Sequence, residues 1–269
     1  MIKTLYKALK IIRWIKKRHQ LLQKAQKLDK QGNFIERDKV VHEIVPTWAQ
    51  YVAKVIGANI TIKGQENIPK DQAVVFIANH QGYVDIVSIL GFIDKPAAFM
   101  AKAEIKKIGF VAKWMELMQC TFLVRKNPRQ SVQAMHDAIE SVKKGYSLVI
   151  FPEGTRSKGG PIKKFKPGSF KLAFNSKAPI IPITIDGTWH FFEEHNRIRP
   201  GSATLTIHPP IYTNNLTKEE RFLIPEQVQK IIEKDLPESS LRNPIEVAKI
   251  EAKRAKKNAK LLKKSKKRK

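Results

Sequence analysis

From Ile60 onward, short β-branched and aromatic runs alternate with longer helical stretches, and this alternation limits the possible fold more than any other feature. The runs are "ITI" near residue 60, "AVVFIA" at 73–78, "CTFLV" at 120–124, "SLVIF" at 147–151, "IIPITI" at 180–185 and "ATLTI" at 203–207. Helical stretches fall near 85–93, 104–118, 129–144 and 168–176. Apolar runs this short suit strands buried on both faces, and helices between them serve as crossovers. The pattern predicts an α/β fold: one domain with a central, mostly parallel or mixed sheet flanked by helices. The 269 residues suffice for one substantial core plus appendages, and no internal repeat is present.

What precedes and follows this region differs in texture. Residues 1–56 lack strand-like runs and read as two basic amphipathic helices, with a break at Gln31-Gly32-Asn33 and a second helix over 34–56 interrupted at Pro46. Ile2, Leu5, Leu9 and Ile12 recur at helical spacing beside Lys3, Lys7 and Lys10, and Trp14 widens the apolar arc. A helix of this kind suits a membrane interface, although it could also pack on its own domain. Pro237, Ser239, Ser240 and Pro244 mark a linker, so the divisions expected are 1–56, 57–236 and 237–269. The formal charge of +27 is concentrated at the ends: residues 1–30 contribute +9 and residues 249–269 contribute +11. Such ends seek a polyanion, either nucleic acid or an anionic membrane surface. The C-terminal tail holds no aromatic residue to stack on bases, so nucleic acid is not the expected partner. No apolar run reaches the roughly 18 residues of a membrane span, and no signal peptide is recognisable. The single cysteine, Cys120, suits a reducing compartment. The expected location is the cytoplasmic face of a membrane, held peripherally.

The chemistry begins at "NHQGYVD", directly after the run at 73–78. On a continuous helix, His80 and Asp85 would lie about 140° apart and could not meet. With His80 in a turn and Asp85 in the first turn of the following helix, the carboxylate folds back onto the imidazole. That is the relation of a general base to its orienting acid. The pair stands at the carboxyl end of an apolar strand, where the sites of α/β proteins gather.

Three further segments end in the same way. "SLVIFPEGTRS" runs a strand into Pro152, followed by Glu153, Gly154, Thr155 and Arg156. Gly154 allows close backbone approach to a ligand, and Arg156 offers a planar fork suited to phosphate. Arg125 stands just beyond a strand end in "CTFLVRKNPRQS", and Lys102 follows an apolar run in "MAKAEIKK". One base, one orienting acid and several cations at comparable strand ends describe a pocket for a phosphorylated molecule with a hydroxyl to deprotonate. Other chemistries find no support. There is no G-x-S-x-G elbow, no P-loop and no G-x-G-x-x-G; Cys120 reads as a strand residue; and "HFFEEH" at 190–195 lacks zinc-ligand spacing, so no metal is expected.

"NHQGYVD", "FLVRKN", "FPEGTRS" and "APIIPITI", in this order, resemble the four motif blocks of the 1-acylglycerol-3-phosphate acyltransferase family, over about residues 55–210. The second block departs at Val124, where many members carry an acidic or polar residue. The resemblance implies transfer of a fatty acyl chain from acyl-CoA or acyl carrier protein, as co-substrate, to a lysophospholipid acceptor, with no further cofactor. It implies that His80 takes the proton of the acceptor's sn-2 hydroxyl while Asp85 orients the imidazole. Glu153, Gly154, Thr155 and Arg156 would then hold the glycerol-phosphate head, with Arg125 and Lys102 pairing its phosphate. Pro179 and Pro182 would shape the acyl groove. Lyso-ornithine lipid and lysophosphatidylglycerol are the alternative acceptors within such a family.

Overall fold

The computed structural model describes residues 2–124 and 127–241. Arg125 and the polybasic tail beyond Leu241 lie outside the described residues. The first helix is shorter than the sequence suggested. It ends at Lys16, and α1 (Ile2–Lys16) is followed after a two-residue break by α2 (His19–Lys30), so the N-terminal region holds three helices rather than two. At the break, Arg18 donates from its guanidinium to the Trp14 carbonyl at 3.1 Å and lies over the Trp14 ring. The break frees α2 to turn Leu22 and Ala25 into a small core with Val41, Ile44, Trp114 and Leu117.

The third helix, α3 (Phe34–Ile56), runs without interruption through Pro46, contrary to the expectation. Proline deletes one amide donor and costs about 3 kcal/mol within a helix. Burial of Val41, Ile44, Ala49, Val52, Ala53 and Ile56 along the helix offsets that cost. Gly57 ends the helix in the left-handed region at φ +80°, where a side chain is disfavoured.

The remaining elements are β1 (Ala58–Lys63), β2 (Val75–Ala78), α4 (Val84–Phe92), β3 (Ala97–Lys102), α5 (Gly109–Leu117), β4 (Thr121–Leu123), α6 (Pro128–Lys143), β5 (Ser147–Ile150), α7 (Lys171–Ser176), β6 (Ile180–Asp186), β7 (Gly201–Ile207) and α8 (Lys218–Lys234). The seven strands form one mixed sheet in the order β1-β7-β6-β2-β5-β3-β4. Every pairing is parallel except β6 with β7. The expected mostly parallel sheet flanked by helices is therefore present.

The main core joins β2, β5 and β6 to residues of α6, α7 and α8. A second cluster joins α3 and α4 to Ala203 of β7 and to Phe191. The helical hairpin α2–α3 is tied to the sheet by Arg37, a side chain only 2% exposed. It binds Asp29 at 2.6 Å, Asp38 at 2.7 Å and the Tyr146 hydroxyl at 2.6 Å, just before β5 begins. The parallel pairings bring the carboxyl ends of β2, β3, β4, β5 and β6 to one edge of the sheet.

Candidate active site

At that edge β2 gives way to the loop carrying His80. Asn79 extends the pairing of β2 with β6 beyond the strand end. Its side-chain Nδ2 donates to the Ile185 carbonyl at 2.8 Å, and its side-chain Oδ1 accepts the Ile185 N–H at 2.8 Å. The chain then turns, and Asp85 enters the first turn of α4 with its carboxylate facing back. One oxygen, Oδ2, meets His80 Nδ1 at 2.6 Å and accepts the N–H groups of Gln81 at 2.7 Å and Gly82 at 3.0 Å. The other, Oδ1, accepts the Thr188 hydroxyl. Asp85 has no exposed side-chain surface, whereas 16% of the His80 side chain remains open. The imidazole lies flat on Phe151, with ring centroids 4.0 Å apart. A fully hydrogen-bonded carboxylate beside Nδ1 holds the proton there and leaves the Nε2 lone pair for chemistry.

The turn after β5 is joined to this loop at several points. Ser157 N–H donates to the His80 carbonyl at 2.7 Å, and Lys158 N–H donates to the Gln81 carbonyl at 3.0 Å. Glu153 faces inward. Its Oε1 accepts the His80 N–H at 2.7 Å and its Oε2 accepts the Lys163 N–H at 2.9 Å. Burial pushes its carboxyl up to about 7, against the pull of those two amide donors. Both oxygens are thus occupied by backbone, and the residue braces His80.

Gly154 adopts φ +72°, and a Cβ there would come within 2.4 Å of Lys166 Nζ. Thr155 is exposed on the turn. Arg156 is already engaged: it donates to Glu193 Oε1 at 2.8 Å and lies 3.7 Å over the Tyr83 ring. Glu193 Oε1 also accepts the Tyr83 N–H at 2.9 Å, while its Oε2 is buried without a hydrogen-bond partner. Lys102 is exposed at the carboxyl end of β3, on the same edge. The structure thus brings His80, Asp85, Glu153, Gly154 and Arg156 into one connected cluster, with Thr155 exposed on its turn and Lys102 exposed elsewhere on the same sheet edge.

Sequence reasoning missed Thr188, Glu193, Gln81 and Phe151. The first two lie in the segment after β6, where "HFFEEH" lacks zinc-ligand spacing and offers no other local signal. His190 and His195 there each approach Glu194, at 2.9 and 3.5 Å. The Cys120 thiol is buried and pushed up to about 12, which leaves it inert as a nucleophile. A cavity of about 330 Å³ lies at the opposite edge of the sheet, between α3, α4 and the starts of β3 and β5, away from His80. A second, of about 280 Å³, adjoins Thr188 and is lined by Asp186, Trp189, His190, Ser202 and Ser240.

A histidine held by a buried aspartate at the carboxyl edge of a mixed sheet is an arrangement suited to proton-assisted group transfer. Residues 59–186 match the family model described as Acyltransferase. The chloroplastic 1-acyl-sn-glycerol-3-phosphate acyltransferase BAT2 of Brassica napus is 35% identical over 179 residues, covering 65% of this chain and 52% of that protein. The chain thus spans about half the length of this plant relative. The 1-acyl-sn-glycerol-3-phosphate acyltransferase of Borreliella burgdorferi is 32% identical over 182 residues, covering 66% of this chain and 73% of that one. The crystal structure of the 1-acyl-sn-glycerophosphate (LPA) acyltransferase PlsC from Thermotoga maritima superimposes with a TM-score of 0.73 at 28% identity, covering 87% of this chain and 94% of that chain. The chain belongs to the 1-acyl-sn-glycerol-3-phosphate acyltransferase family.

Proposed function

We propose that the protein transfers a fatty acyl group from a thioester donor, acyl-CoA or acyl carrier protein, to the sn-2 hydroxyl of 1-acylglycerol 3-phosphate, giving phosphatidic acid. The observation that carries this reading is the 2.6 Å contact between His80 Nδ1 and buried Asp85, which leaves Nε2 as the free nitrogen. In the proposed reaction the acceptor hydroxyl attacks the thioester carbonyl as Nε2 takes its proton. Asp85 holds the imidazole in the required tautomer and stabilises the imidazolium that forms. The tetrahedral intermediate collapses, the C–S bond breaks, and the thiolate recovers the proton from His80.

Arg156, anchored by Glu193, and Lys102 on the same sheet edge supply positive charge for the acceptor phosphate. Glu153 and Gly154 shape the turn that presents Arg156, and Thr155 lies open to the head group. No helix among the described residues is long and apolar enough to cross a membrane. Lipid substrates would reach the site from a cytoplasmic membrane surface met by α1, whose Ile2, Leu5, Tyr6 and Leu9 are exposed.

The test is transfer by purified protein to lysophosphatidic acid, lysophosphatidylglycerol and lyso-ornithine lipid, with each donor in turn and His80→Ala as control. The expected result is phosphatidic acid as main product, and its loss in the control by a factor of about 10³ or more. Preferred acylation of another acceptor would overturn the substrate, and near-normal turnover in His80→Ala would falsify the assignment of the base.

A further inference from the structure

Asp85 is held from two directions. Its Oδ2 is gripped by the loop it belongs to, through His80, Gln81 and Gly82. Its Oδ1 depends on one group from elsewhere, the hydroxyl of Thr188, which lies 103 residues along the chain. Thr188 opens a 3₁₀ turn, Thr188–Phe191, directly after β6, and is wholly buried. Its own N–H donates to Gln81 Oε1 at 3.2 Å, and its hydroxyl lies 3.3 Å from the same oxygen. Gln81 Nε2 in turn reaches Asp186 Oδ1 at 3.5 Å. The segment after β6 therefore holds both the side chain of Gln81, the residue next to His80, and the far oxygen of its partner acid. Thr188 lies beyond residues 59–186, which the family model matches.

We propose that Thr188 is a positioning residue for the transfer reaction, fixing the rotation of the Asp85 carboxylate and through it the direction of His80 Nε2. This rests on the proposed reaction. A carboxylate held only through Oδ2 can pivot about that atom. The donors from Gln81 and Gly82 then stay in place while the angle presented to His80 Nδ1 changes. Loss of the hydroxyl also leaves Oδ1 buried without a donor, the costly half of breaking a hydrogen bond to a charged group. Among the described residues, the ionisable groups in hydrogen-bond contact with His80 are Asp85 from α4, at Nδ1, and Glu153 from the turn after β5, at the backbone N–H.

The test compares wild type with Thr188→Val, which keeps shape and removes the hydroxyl, and Thr188→Ser, which keeps the hydroxyl and removes the methyl. Turnover and KM for lysophosphatidic acid are measured beside the proton resonance of His80 Nδ1–H. The expected result for Thr188→Val is a fall in kcat of about tenfold or more with KM nearly unchanged, and a displaced Nδ1–H resonance. Thr188→Ser should restore both. An unmoved resonance with normal kcat in the valine variant overturns the proposal. So does a serine variant as defective as valine, because shape rather than the hydroxyl would then matter. If the resonance moves in valine and returns in serine while wild type acylates no lysophosphatidic acid, the positioning role stands and the proposed reaction falls.

Discussion

Between Asn79 and Asp85, the side chains of Asn79, Gln81 and Asp85, the His80 ring and the His80 backbone N–H are each answered by a partner from another part of the fold. Along α1 the reverse holds. That helix buries no residue, and among the described residues its hydrogen bonds to parts of the chain far off in sequence are Lys7 Nζ to the Ile56 carbonyl and the Thr4 hydroxyl accepting the Ile198 N–H. Trp14 stacks on Tyr51, whereas Ile2, Leu5 and Leu9 point away, with Ile2 86% exposed. Both stretches stand out in the sequence, one by its motif and one by its periodicity. They differ in what completes them. The loop is completed inside the molecule, so substitutions there should be felt as geometry. The helix is left incomplete, so substitutions there should be felt only when a surface is present.

The largest effect that would sharpen this contrast is at Arg156. Its partner Glu193 is almost wholly buried. Arg156→Ala should leave that carboxylate unpaired and cost roughly 2–3 kcal/mol, somewhat below the penalty for a fully buried pair because Arg156 is partly open. Adding Glu193→Gln should recover most of the stability in urea unfolding, but not the affinity for a phosphorylated acceptor. A single variant as stable as wild type would show that the loop region is less tightly completed than the contacts imply.

A second expectation concerns α1. Cutting away residues 1–30 would also strip Leu22 and Ala25 from their cluster and Asp29 from Arg37, so a substitution is the sharper probe. The double change Leu5→Glu/Leu9→Glu should leave thermal stability unaltered while reducing binding to anionic vesicles by about a hundredfold. Sedimentation with vesicles at low and high salt reads this directly. Unchanged binding would move the docking surface elsewhere.

The smallest effect is at Glu153. A carboxyl raised from 4.5 to about 7 by burial is best accommodated in the fold when neutral. Its contribution to stability is therefore fully present below about pH 4.5 and is lost as pH rises through about 7. Thermal melts at pH 5 and pH 7.5 should show a loss on the order of 1 kcal/mol that flattens in Glu153→Gln. That variant should also be less stable at both values, because an amide nitrogen then faces a backbone N–H. A profile equally steep in both proteins would assign the slope to other groups.

How much of this was legible follows from range. His80 and Asp85 are five residues apart and announce each other through local chain geometry. Six of the seven strands lie on their own apolar runs, with β1 and β7 each beginning two residues ahead, at Ala58 and Gly201, whereas β3 (Ala97–Lys102) shows only as the short apolar run ahead of Lys102. Thr188 and Glu193 carry no such mark, because what defines them is contact with residues 103 and 37 positions away. Sheet order was equally hidden: nothing local places β6 between β2 and β7. Pro46 misled because the rule that proline ends a helix is a statement about local cost, and packing on both sides of it overrode that cost. Glu153 stands in the turn where the motif puts it, yet its orientation, inward rather than toward a ligand, is a tertiary fact.

The clamp at Arg37 gives the short strand β5 a mechanical meaning. One end of β5 follows Tyr146, whose hydroxyl is held by Arg37 and Asp38 of the helical hairpin. The other leads into Phe151, the ring on which the imidazole rests. Four strand residues, about 13 Å, separate the two. A tilt imposed on the hairpin from outside reaches the site by two routes: this stiff strand, which ends under the imidazole, and the packing of α3 on α4, which carries Asp85. If these helices make the proposed membrane contact, anchorage and the aim of His80 become one adjustment.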